Sequence, residues 1–201
     1  HNYIGDPINA VKIYNDLKSD ELVFLDIKAS IEKRLISLEF VKKVSEEANM
    51  PFAVGGGIKS LEDIHKLISS GAEKVIISTE AVRNPNFIKE ASNSFGTSTI
   101  TVCLDYKKTF FKNNLVFTSS GNKKSRYNVI EFANLIQEKG AGEIILQSIS
   151  RDGTMEGYDL DLIKEISGNL EIPVVALGGA GNLKDLHFAF RESKACLLYT
   201  S

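Results

Sequence analysis

Short apolar runs alternate along the chain with segments of helical periodicity, each run ends in a polar or glycine-bearing turn, and part of this pattern recurs about 120 residues later. Together these predict an α/β fold, a (β/α)8 TIM barrel built of two similar halves. An open doubly wound sheet shares the alternation, and it is the repeat that favours the barrel. At 201 residues, 43% hydrophobic and 25% charged, the chain suits one substantial core and a single domain over 1–201.

The strand candidates are 22–27, 51–54, 74–78, 99–105, 143–148 and 173–177. They are nearly continuous apolar runs, as expected of parallel strands covered on both faces. Helices are expected at 7–17, 35–48, 61–70, 85–93, 128–139, 160–166 and 183–190. Ser60 reads as an N-cap before Leu61-Glu62-Asp63, while Gly71 and Gly140 read as helix stops. Residues 106–121 break the rhythm: Phe110-Phe111 and 115–117 flank Asn113-Asn114, which predicts a β-hairpin inserted after a strand.

A net charge of -2 and a pI near 6.0 give no reason to expect nucleic acid or an anionic membrane as partner. Cys103 and Cys196 are far apart and outside metal-type spacing, and no signal peptide or long apolar run is evident, so a reducing cytoplasm is expected. His1, His65 and His187 are scattered and read as surface residues.

Chemistry in a parallel barrel belongs at the carboxyl ends of its strands. Asp26 closes LVFLDI and Asp105 closes TVCLD. A loop-capping role is the plain structural alternative for Asp26. By strand alternation Thr101, Cys103 and Asp105 share one face, which puts a carboxylate at the expected mouth and makes Cys103 a small core residue. Gly55-Gly56-Gly57 and Gly178-Gly179-Ala180-Gly181 each follow a strand and precede a helix, where open backbone N–H groups bind phosphate. Their matching places predict two phosphates at one mouth. The loop Ser148-Ile149-Ser150-Arg151-Asp152-Gly153-Thr154 adds hydroxyl, carboxylate and backbone donors.

LVFLDIKAS, AVGGGIKSLEDI, GAEKVIIST, GTSTITVCLDYK, GAGEIILQSISRDGTMEGYDLDLI and IPVVALGGAG together resemble the cyclase subunit of imidazole glycerol phosphate synthase across nearly the whole chain. The resemblance implies an ammonia-dependent cyclase and lyase of histidine biosynthesis. Such an enzyme turns a bisphosphorylated ribulosyl precursor into imidazole glycerol phosphate and aminoimidazole carboxamide ribotide. Ammonia comes from a partner glutaminase in a heterodimer, and no metal or organic cofactor is implied. By motif, Asp105, Lys107 and Asp26 take catalytic roles. Gly56, Gly57 and Thr79 match one phosphate site, and Asp152, Gly153, Gly179 and Gly181 the other. Glu21, Lys74 and Glu143 match a charged ammonia gate at the opposite rim.

This sequence departs from the family pattern at four substrate-pocket positions. Ser78 stands where asparagine is usual, Gln147 for threonine, Ser150 for aspartate and Leu177 for serine; Ser148 keeps the polar strand end. The first strand, with a second catalytic aspartate, and most of the last strand are expected to be lacking, so the fragment itself is expected to be inactive. The tail from Ala195 is not expected to continue the pattern. YIGDPINAVKIYN and DGTMEGYDL also resemble cyclase-like paralogues associated with amidation of surface-polysaccharide sugars. A further alternative is a non-catalytic barrel that binds or regulates a glutaminase. The isomerase of the same pathway shares the half-barrel repeat, but GAGEIILQSISRDGT fits the cyclase better.

Overall fold

The computed structural model describes residues 6–108 and 114–193, and the backbone of 197–199. The chain forms two compact units, His1–Ile76 and Ile77–Ser201.

In the first unit, α1 (Pro7–Asp16) starts where proline is tolerated, with Asp6 Oδ1 accepting the Ile8 N–H at 3.0 Å. Strand β1 (Leu22–Leu25) leads through the one-turn helix α2 (Ala29–Glu32) to α3 (Leu38–Glu47), capped by Ser37. Strand β2 (Phe52–Gly55) is followed by α4 (Leu61–Ser69), where Ser60 and Asp63 form the expected N-terminal cap reciprocally, and then by β3 (Lys74–Ile77). The three strands run parallel, with Leu25 opposite Gly55 and Gly55 opposite Ile76. Val41, Val44, Ile64 and Leu67 are fully buried on the helices. Each such side chain contributes about 2 kcal/mol of burial, which is why amphipathic helices settle on an apolar sheet. Phe24 meets Phe40 edge-on, with ring centroids 5.3 Å apart.

The second unit continues with α5 (Thr79–Arg83), α6 (Asn86–Phe95), a 3-10 turn (Thr97–Thr99) and β4 (Ile100–Lys108). Next come β5 (Asn114–Thr118), β6 (Lys123–Asn128), α7 (Val129–Glu138), β7 (Glu143–Ser148), α8 (Leu160–Asn169), β8 (Val174–Leu177), α9 (Leu183–Glu192) and β9 (Leu197–Tyr199). Strands β4, β7, β8 and β9 pair in that order, all parallel. Every residue of β4 from Ile100 to Tyr106 is buried, which accounts for its unbroken apolar run. Lys107 and Lys108 then emerge toward solvent as β4 turns to pair antiparallel with β5.

That pairing realises the expected hairpin, with Asn114 opposite Lys108; Phe110, Phe111 and Asn113 lie outside the described residues. Strand β6 was not expected, because KKSRYN has no apolar alternation. It forms because β5 offers an edge, and Ser119, Ser120 and Gly121 turn the chain through three successive positive φ angles. The short helices α2 and α5 were also missed, being too brief to show a period. At the tail, where no continuation was expected, Leu197–Tyr199 adds a parallel strand to β8. Among the described residues β1 pairs only with β2 and β9 only with β8, so no pairing closes the sheet. No helix among the described residues is long and apolar enough to cross a membrane.

Candidate active site

In the first unit the strand ends converge on Asp26. Its backbone N–H donates to Gly55 O at 2.9 Å, extending the β1–β2 ladder by one rung. Its Oδ1 accepts the Lys28 and Ala29 N–H groups at 3.1 and 3.2 Å, and its Oδ2 accepts from the Arg34 guanidinium, which also binds Glu32. Partial burial pushes the carboxyl up, but Arg34 and the two backbone donors outweigh it and hold Asp26 below its usual range. Gly56 and Gly57 follow with φ of 139° and 73°. A side chain on Gly56 would press on Asp26 at 2.9 Å, and one on Gly57 would collide with the Arg34 carbonyl. These glycines therefore let the loop carrying Arg34 close against the strand ends. At the other end of the same strands Lys74 Nζ lies 3.0 Å from Glu21 Oε1.

In the second unit Asp105, Gln147 and Leu177 stand in one register row across β4, β7 and β8. Asp105 is 9% exposed. Burial raises its carboxyl to about 6, moderated by the Cys103 thiol. Cys103 Sγ lies 3.6 Å from Asp105 Oδ1 and 3.7 Å from Gln147 Oε1, and burial pushes this thiol well up, so it stays protonated. Lys107 is directed along the hairpin: its Nζ donates to Gly121 O at 3.1 Å and sits 5.0 Å from the centre of the Phe117 ring. The Ser119 N–H donates to Thr79 Oγ1 at 3.0 Å, tying α5 to the same turn.

The loop after β7 folds over the glycines after β8. Arg151 and Asp152 N–H groups donate to Ser148 O at 3.1 and 2.9 Å, and the Gly157 N–H donates to Gly179 O at 2.7 Å. Arg151 donates to Gly157 O, 3.1 Å away. Side chains on Gly179 or Gly181 would strike the carbonyls of Gly157 and Met155, while Gly178 packs against Asp152. Asp152 thus lies against Gly178 and Arg151 against Gly179, while Ser150, Asp152 and Gly153 are all exposed. The Ser148 side chain is buried and bonds the Tyr106 hydroxyl. Glu143 lies at the far end of β7, 7% exposed, accepting from Thr101 Oγ1 at 3.0 Å.

Against known proteins, a family model described as "Histidine biosynthesis protein" matches residues 1–201. The chain belongs to the histidine biosynthesis protein family. It is 44% identical to a protein of Alkaliphilus metalliredigens, over 95% of this chain and 76% of that one. Corresponding figures are 42%, 95% and 78% for a Methanococcus maripaludis protein, and 46%, 95% and 76% for one from Pelodictyon phaeoclathratiforme. Each of these relatives is named imidazole glycerol phosphate synthase subunit HisF. Those names favour the histidine-pathway cyclase over the polysaccharide-amidation and glutaminase-regulating alternatives.

For this member of the histidine biosynthesis protein family, sequence reasoning missed Arg34 and the hydrogen bonding of Cys103. Arg34 sits in a polar run with nothing to mark its target eight positions back. Cys103 was legible as a neighbour of Asp105 from the period of two, but was read as packing alone. Among the described residues no group of three His, Cys, Asp or Glu side chains could hold a metal ion.

Proposed function

We propose that this chain is the cyclase of an imidazole glycerol phosphate synthase, using ammonia from a partner glutaminase to form imidazole glycerol phosphate and aminoimidazole carboxamide ribotide. The carrying observation is Asp105, a buried carboxyl at a parallel-strand end with its pKa raised to about 6. A carboxyl tuned toward neutrality exchanges protons in both directions, as a ring closure with an elimination requires. Gln147 and Leu177 extend from it along one row and supply pocket walls. Ser148 and Ser150 begin the loop beside that row.

Phosphate binding falls to Gly56 and Gly57 in the first unit, and to Thr79 and to Asp152, Gly153, Gly179 and Gly181 in the second. Backbone N–H groups at glycine turns and helix starts suit anions. Asp26, fixed by Arg34, orients the substrate's ribulosyl segment, and Lys107 supplies a cation on the strand bearing Asp105. Glu21 and Lys74 in the first unit and Glu143 in the second sit at strand starts, where charged side chains would admit ammonia from a glutaminase. The test is conversion of the bisphosphorylated precursor with ammonium salt by the intact protein. Both products should appear without added metal. Activity confined to an amidated polysaccharide precursor would replace this reading with the paralogue's.

A further inference from the structure

We propose that Cys103 is a positioning residue for Asp105: its thiol hydrogen is shared between the Asp105 carboxylate and the Gln147 side-chain oxygen, and turns to Asp105 when that carboxylate ionises. The proposal rests on the reading of Asp105 as the acid/base group.

The geometry follows from two strands. Residues two apart on β4 point to the same side, so Cys103 sits directly beneath Asp105. Gln147 is the register partner of Asp105 on β7, which brings its amide to the same thiol. One S–H therefore faces two acceptors at nearly equal range, 3.6 and 3.7 Å. A thiol has a single proton to give. A charged acceptor binds a donor about twice as strongly as a neutral one, so ionised Asp105 takes the hydrogen and protonated Asp105 releases it to Gln147.

The surroundings leave this small difference in control. Cys103 and Asp105 are both buried, so water does not compete. Among the described residues, the groups facing Asp105 are Cys103 on its own strand, Ser78 after β3, Gln147 on β7 and Phe117 opposite on β5. Of these only Cys103 titrates, and burial keeps it a thiol. Among the described residues Asp105 is thus tuned by a thiol rather than by a cation. That leaves its carboxyl near neutrality, where a lysine or arginine in the same place would pull it down. When the thiol turns to Asp105, the Gln147 oxygen is freed for substrate, so proton state and pocket polarity change together.

The S–H stretching vibration reports the hydrogen bond directly. The chain has two cysteines, so Cys196→Ala leaves Cys103 as the single thiol. Infrared spectra from about pH 4 to about pH 8 should show the Cys103 band move to lower frequency as the carboxylate forms. The midpoint should lie near Asp105's pKa of about 6, and the shift should vanish in Asp105→Asn. In the pH profile of ammonia-dependent turnover, Cys103→Ala should move the acidic limb up by about half a unit, since a donor to the charged form is lost; Cys103→Ser should move it down. Substrate affinity should change less than twofold in either. A band that stays fixed across this range, or shifts equally in Asp105→Asn, overturns the proposal whatever the activity. If the band titrates but Asp105→Asn still turns over, the acid/base reading fails and the thiol coupling stands.

Discussion

Arg34 reaches back to Asp26 and binds one carboxylate oxygen, while the other oxygen already accepts the Lys28 and Ala29 N–H groups. One residue thus closes the loop after β1 from both sides. Arg34→Ala should release it and let the Asp26 pKa rise toward its unfolded value. Because the folded pKa is depressed, the stabilisation is present above the unfolded pKa and is lost as pH falls through the folded one. The melting temperature of Arg34→Ala should therefore lie below the parent's at pH 7. The gap should be modest, the guanidinium being exposed, and should close toward acid. An equal gap at all pH values would assign it to packing.

Asp105 carries the opposite sign. Its folded pKa is raised to about 6, so its neutral form is favoured in the fold, and stability falls as pH rises from the unfolded pKa through about 6. Asp105→Asn should therefore gain on the order of 2 kcal/mol at neutral pH while losing about a hundredfold or more in turnover. Thermal melts and ammonia-dependent product assays on one preparation measure both. A destabilised, active variant would contradict both the burial and the acid/base arguments.

Gly153 and Gly179 separate phosphate binding from loop packing. Gly153 has φ 73° and open space where a side chain would go, so Gly153→Ala should cost only about 1 kcal/mol of backbone strain while weakening substrate binding. Gly179→Ala should cost about 2 kcal/mol or more, because its methyl would displace Gly157 and with it the loop bearing Asp152. Titration calorimetry with the bisphosphorylated substrate, beside thermal melts, distinguishes the two positions.

Thr101→Val tests the base of β4. It removes the hydroxyl that donates to buried Glu143 and puts a methyl in its place. The expected loss is about 2 kcal/mol in urea melts, with turnover driven by ammonium salt nearly unchanged. Turnover driven by a glutaminase partner should fall if Glu143 belongs to the ammonia gate.

The strand runs were legible because parallel strands buried on both faces need continuous apolar sequence, as 99–105 and 143–148 show. Caps were legible for a local reason: Ser60 and Asp63 lie three positions apart and meet within one turn. β6 was not legible, since KKSRYN is held by the edge that β5 presents. The carboxyl-end location of Asp26 and Asp105 could be read from the ends of their strands, but their environments could not. The two sequence positions look alike, LVFLD and TVCLD, yet one carboxyl is lowered by Arg34 and the other raised by burial.

The sequence by itself determined the alternation of strands and helices, the parallel pairing, the glycine turns and the family, because each is written in local periodicity or in motifs. Tertiary structure alone decided which charges meet. Arg34 with Asp26, Lys107 with Gly121, Glu143 with Thr101, and Cys103 between Asp105 and Gln147 are set by strand register and by loops closing on glycine. The physical reason is range. Secondary structure follows from neighbours a few residues apart, whereas a proton affinity depends on desolvation and on partners up to 44 residues away in the chain.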